Sequence, residues 1–184
     1  MAYFSSREIA AISVTGATWA VINAFAGPLF WNATHLPILC DILSLLSLIV
    51  VVWWTRKFGA AFFTGLVATL INFALGGVIF FLGFTVASIS FDLLTKSVGY
   101  QNLFSKPHTS KASMIALATV SALSALSALI AGLINGYVFM GMNAIVAILT
   151  FAGLNASGGI IGAILGISLV KALEIRKVIP KARN

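Results

Sequence analysis

The sequence predicts an all-α integral membrane protein, a bundle of six transmembrane helices with both termini on the cytoplasmic side. Three observations carry that expectation. Hydrophobic residues make up 60 % of the 184 residues, charged residues only 8 %, and the mean hydropathy is +1.09. A water-soluble domain carries about 25 % charged residues, so this chain has too few to cover a water-facing surface. The charges also cut the chain into apolar blocks of the roughly 20 residues that a helix needs to cross hydrocarbon. Finally, with six crossings all 11 Lys and Arg fall on one side, which the positive-inside rule makes cytoplasmic.

Each span follows from its boundaries. Residues 9–30 form an apolar stretch too long for the core of a signal peptide, with no basic run ahead of it, so a true span is expected. A short outer segment, residues 31–35, leads to span 2 at 36–54, which Arg56 and Lys57 close. The block 58–94 is too long for one crossing and breaks at Gly76-Gly77, giving spans at 58–75 and 78–94. Residues 96–111 are the one long polar loop, followed by span 5 at 112–133. A second short outer turn at 135–142 precedes span 6 at 144–173, which is long enough to tilt. Residues 1–184 are thus expected to form one transmembrane domain.

The cations sit before span 1 (Arg7), between spans 2 and 3 (Arg56, Lys57), between spans 4 and 5 (Lys96, Lys106, Lys111), and at the end of span 6 or beyond it (Lys171, Arg176, Lys177, Lys181, Arg183). Five or seven spans would divide them between the two faces. The net charge of +7 is therefore a topology signal, with contact to anionic lipid head groups as a second role; nucleic acid is not an expected partner. Trp53 and Trp54 suit an inner aromatic belt and Trp31 an outer one.

The same composition excludes several chemistries. A single cysteine, Cys40, allows no disulfide within the chain, and two His with four acids leave little for a metal centre or an acid–base pair. No P-loop, HExxH or GxSxG stretch occurs. An enzyme is not expected, nor a resident cofactor or metal, and any active transport must draw its energy from a partner ATPase.

Three of the acids have local explanations. Asp92 stands four residues before Lys96, the spacing of a helical ion pair. Glu174 is three residues from both Lys171 and Lys177, and Glu8 lies in a first helical turn, where the helix dipole favours an acid. Asp41 has no such partner. It lies about five residues into span 2 from the outer side, roughly 7.5 Å along the helix. No Lys or Arg is at hand there, and an ionised carboxylate in hydrocarbon is expensive. It has to face the bundle interior, water or a ligand, or be protonated, and His35 is the nearest titratable group.

Amides and aromatics gather at the same outer level: Trp19 and Asn23 on span 1, Trp31, Asn32 and His35 in the first outer segment, Asn72 on span 3, Asn135 and Tyr137 in the last outer turn, and Asn143 and Asn155 at the start of span 6. An intramembrane Asn seeks hydrogen-bond partners, so each alone reads as glue between helices. Together, opposite the cationic face, they read as a small-molecule pocket, a few fixed polar groups among apolar and aromatic walls. The candidate binding residues are Trp31, Asn32, His35, Asp41, Asn72, Asn135, Tyr137, Asn143 and Asn155. Small residues also recur at a spacing of four: Gly16, Ala20 and Ala24 on span 1, and Gly158, Gly162 and Gly166 on span 6. Such stripes let helix backbones approach closely. The second reads as internal packing, and the first as a smooth face toward a partner protein.

At this length, with six spans and a small-residue stripe on the first, the chain resembles the S components of energy-coupling factor (ECF) vitamin transporters. The stretches REIAAISVTGATWAVINA (7–24), TRKFGAAFFTGLVATLINFALGG (55–77) and LNASGGIIGAILGISLVKALEIRK (154–177) carry the resemblance, which covers nearly the whole chain. Arg56-Lys57-x-Gly59-Ala60-Ala61 is most similar to the thiamine-precursor type, although span 3 carries Thr64 and Asn72 where that type is expected to carry acids. The resemblance implies a subunit that binds a vitamin or related micronutrient at the outer face of the cell membrane. Uptake would then be driven by a transmembrane T component and two ATPases. It further implies that Gly16, Ala20 and Ala24 meet the T component, that Asn135, Tyr137, Asn143 and Asn155 belong to the pocket, and that Trp31, Asn32 and His35 close over the ligand. Asp41 has no counterpart in the resemblance; its place rests on the cost of its charge. The alternative from the residues alone is a structural or accessory subunit of a larger membrane complex.

Overall fold

The structure, a computed structural model, describes residues 3–104 and 110–178. Among the described residues seven helices follow one another: α1 (Ser6–Thr34), α2 (Ile38–Thr55), α3 (Ala60–Ala74), α4 (Leu82–Val98), α5 (Tyr100–Phe104), α6 (Ser110–Ile134) and α7 (Ile145–Ile175). A 3₁₀ turn, Ile79–Phe81, leads into α4, and a π-helical turn, Asn135–Phe139, extends α6. Lys106, Lys181 and Arg183 lie outside the described residues.

Local chemistry sets the ends. The Ser5 hydroxyl accepts from the Glu8 N–H while Glu8 Oε2 accepts from the Ser5 N–H at 2.6 Å, a reciprocal cap for α1. Glu8 also pairs with Lys57 Nζ at 2.8 Å, tying the start of α1 to the α2–α3 turn. Helix α1 accommodates Pro28 and runs on to Thr34, ending where His35 turns left-handed (φ 57°) two residues before Pro37. Trp31 and Asn32, expected in a separate segment, are therefore its last turns: the helix carries Gly27-Pro28 within it rather than ending there.

Three further expectations change. Five stretches among the described residues are long and apolar enough to cross a membrane: Ser6–Thr34, Ile38–Thr55, Ile79–Val98, Met114–Phe139 and Ile145–Ile175. The expected span at 58–75 is instead the 15-residue α3, about 22 Å long at 1.5 Å per residue. Glycines bound it: Gly59 at φ 91° opens it, and Gly76 at φ 83° follows its end. The polar loop at 96–111 contains the short helix α5 and the first turn of α6. The turn at 135–142 begins as a π-helical continuation of α6.

Around the bundle the neighbours run α1, α2, α7, α6, α4, α3 and back to α1, with α2 also touching α3 across the interior. The small residues make these contacts possible. A side-chain carbon at Gly158 would stand 2.8 Å from Asp41 Cβ and from the Ile38 carbonyl, and one at Gly162 would stand 2.8 Å from the Ile42 carbonyl. The α7 stripe is thus packed on α2. The α1 stripe is used in the same way. A carbon added at Gly16 would lie 2.8 Å from the Thr64 carbonyl of α3, and Ala20 is fully buried. Gly16 and Ala20 therefore do not present a free face to a partner protein, contrary to expectation; only Ala24 remains half-exposed. The reason is geometric: α3 lies so close to α1 that only a glycine fits between them.

At the end where α2 meets α3 the acids take tertiary partners, and Asp92 takes them in place of the helical neighbour its spacing suggested. Asp92 on α4 caps α3, its Oδ2 accepting from the Phe62 N–H at 3.1 Å while its Oδ1 accepts from the Tyr100 hydroxyl at 3.2 Å. Helix α3 starts on Gly59, which has no side chain to cap it, so the fourth helix supplies the acid. Lys96 instead lies 4.3 Å over the Phe58 ring. Glu174 accepts from Trp53 Nε1 at 3.0 Å, joining the two ends of α7 and α2. Burial and, next, the Asp92 carboxylate push the Tyr100 phenol well above its usual range, so it stays a proton donor.

Candidate functional site

The far half of the bundle, away from these cations, holds polar side chains inside the ring of helices. Asp41 lies in the first turn of α2 and is fully buried, and neither of its carboxylate oxygens has a hydrogen-bond partner. Trp19 Nε1, Asn23 Oδ1 and Asn135 Oδ1 are also buried and unpartnered. Buried polar atoms are nearly always hydrogen-bonded, so a group of them in one region asks for an explanation.

Contacts carry this region around the ring. Asp41 is pressed on Gly158 of α7. One turn closer to the start of α7, Asn155 touches Gly132 of α6 and donates from Nδ2 to the Phe151 carbonyl at 2.7 Å. Three residues beyond Gly132, Asn135 lies against Gly83 of α4, its amide 2.5 Å from where a side-chain carbon would be. Next to Gly83, Phe84 stacks with Phe81 and Trp19, with ring centroids 5.1 Å apart for the two phenylalanines and 6.1 and 5.5 Å from Trp19 to Phe84 and Phe81. Helix α1, which carries Trp19, neighbours α2 and closes the circle. Depths agree. Asp41 is about 21 Å along α2 from Thr55, while Trp19 and Asn23 are about 17 and 22 Å along α1 from Glu8.

The nine expected binding residues divide. Asp41, Asn72, Asn135 and Asn155 are buried. Trp31, Asn32, His35, Tyr137 and Asn143 are exposed, Trp31 at 40 % and Tyr137 at 66 %. They stand on the end of α1 and the connection from α6 to α7, on the same end of the bundle; the Trp31 and His35 rings are 6.1 Å apart. Asn72 braces the α3–α4 turn: its side-chain oxygen occupies the space of a Gly77 side chain, and its carbonyl accepts from the Gly77 N–H at 2.8 Å. Its polarity is therefore used locally.

Trp19 and Asn23 stand out as unpartnered interior groups although the sequence placed them only at the right level. Phe81 and Phe84 gave no signal, being two of 14 phenylalanines in an apolar chain. Their spacing of three at the start of a helix, which points two rings to one side, is what could have marked them. At similar depths the helices carry a buried carboxylate on α2, amides on α1 and α6, and an indole N–H within an aromatic cluster, groups of the kind that hold a small polar molecule by hydrogen bonds and stacking.

No protein-family model matches the chain, and no curated protein matches it in sequence. A solved structure described as the crystal structure of an S-component of ECF transporter does match in fold, with a TM-score of 0.69 and 16 % identity over 95 % of this chain and 88 % of that one. This apolar, multi-pass helical bundle therefore has the fold of an ECF-transporter S component.

Proposed function

We propose that the protein is the substrate-binding subunit of an ECF-type importer. It captures a vitamin or related micronutrient at the outer face of the cell membrane, and a transmembrane T component with two ATPase subunits drives uptake. The observation that supports this most is the set of buried, unpartnered polar atoms on Asp41, Trp19, Asn23 and Asn135, inside an S-component fold and at the end opposite the cations. A scaffold protein has no need to bury a carboxylate without a partner.

In this function the chain crosses the membrane six times with both termini cytoplasmic. Helix α3 is short for a span, but α2 runs outward-to-inward and α4 must begin outside again, so the polypeptide has to return through α3. Trp31, Asn32, His35, Tyr137 and Asn143 form the mouth, and Asp41, Asn135 and Asn155 the interior, with Trp19, Asn23, Phe81 and Phe84 added. The T component meets surface other than Gly16 and Ala20.

The test is purification of the full chain from vitamin-replete cells, mass spectrometry of the small molecules released on denaturation, and thermal melts across a vitamin panel. A stoichiometric small molecule, and a rise in Tm with that compound or a close relative, are expected. Repeated release of nothing with no shift across the panel overturns the proposal.

A further inference from the structure

Resting on that function, the geometry points to the class of ligand: we propose that the interior takes a cation with several N–H donors, an ammonium or amidinium on a flat or small apolar body. Asp41 decides this. Both of its oxygens are buried and unpartnered, and an ionised carboxylate can only accept hydrogen bonds. Among the described residues no Lys or Arg belongs to the helix ends at this side of the bundle; Arg7, Arg56, Lys57, Lys96, Lys171, Arg176 and Lys177 stand at or near the other ends of their helices. No described Lys or Arg is there to neutralise Asp41, so apart from a proton the counter-charge has to arrive with the ligand, where it offsets the desolvation that folding imposes.

The other unpartnered groups at this depth fit the same class without dictating it. Asn23 and Asn135 carry both a donor and an acceptor end, and an amide can turn either toward a ligand. The Trp19 indole only donates, so the ligand needs one acceptor as well. The Trp19–Phe81–Phe84 cluster supplies π faces, which attract a cation and stack on a flat ring. An anionic vitamin is disfavoured twice, by repulsion from Asp41 and by the lack, among the described residues, of a Lys or Arg at this end to receive it.

Two measurements test this on the full chain in detergent. The first is the identity of the molecule released from the wild type and from Asp41→Asn purified alongside it. A species bearing an ammonium or amidinium group, retained about tenfold less or weaker by Asp41→Asn, is expected, since losing one charge-assisted contact is worth about that factor or more. The second uses three probes of one shape: benzamidine, benzamide and benzoate at millimolar concentration. Benzamidine should raise the Tm of the wild type, benzamide less and benzoate not at all, and the preference should vanish in Asp41→Asn. If that variant does not fold, the ranking in the wild type alone decides. An anionic or donor-free released ligand, or benzoate shifting the Tm as much as benzamidine, overturns the cationic class and leaves substrate capture standing. Release of nothing together with no response to any probe overturns both.

Discussion

Asp92 and Asp41 show how a single carboxylate can be buried in two different ways. Asp92 is 1 % exposed yet fully employed, holding the start of α3 through the Phe62 N–H and receiving the Tyr100 hydroxyl. The positive end of a helix and a phenol do for it what a lysine would do elsewhere. Removing it leaves buried N–H groups without an acceptor, so Asp92→Ala should destabilise the protein by about 1–3 kcal/mol. Lys96→Ala, which loses only a ring contact, should cost no more than about 1 kcal/mol. Unfolding of both variants in detergent checks the difference; equal losses would restore the ion pair that the spacing suggested. The sequence showed Asp92 and Lys96 four apart but had no means of showing that α3 begins beside Asp92.

At the scale of an element, the α3–α4 turn uses two adjacent glycines for different reasons. Gly76 adopts φ 83° with nothing within 4 Å of a would-be side chain. Its cost on substitution is conformational alone, and Gly76→Ala should lose about 1–2 kcal/mol. Gly77 is needed for space, because Asn72 Oδ1 already fills it. Gly77→Ala should be the more damaging, and Asn72→Ala should recover part of the loss, a coupling that a double-mutant cycle of unfolding measures. The Gly-Gly pair was legible as a break between two helices; which glycine answered which demand was not. The same contrast holds for the two small-residue stripes. Their spacing announced close helix contacts, and the packing of α1 on α3 then showed that Gly16 faces inward.

For the whole molecule, alternating short connections and one cationic end imply a fixed orientation across the membrane. Replacing Cys40 with Ser and introducing Ala33→Cys or Arg176→Cys, both at exposed positions, gives single reporters at opposite ends. In intact cells a membrane-impermeant maleimide should label Ala33→Cys and leave Arg176→Cys unmodified until the cells are opened. The reverse pattern would invert the protein and put the polar interior on the wrong side for capture from outside.

The sequence by itself pointed to a membrane as the solvent of this protein and set the topology to be expected of it. A chain with 8 % charged residues has to keep its helices in lipid, and the placement of every cation between alternate apolar blocks needs no tertiary knowledge. It also singled out Asp41, because the cost of an unpaired charge depends only on what surrounds it in depth. Only the tertiary structure decided which helices are neighbours, that α3 is short, that Asp92 caps it, and that Trp19, Phe81 and Phe84 share a wall. Those facts depend on contacts between residues distant in the chain, and a hydropathy pattern, which records how apolar each stretch is but not which side of a helix meets which neighbour, carries no information about them.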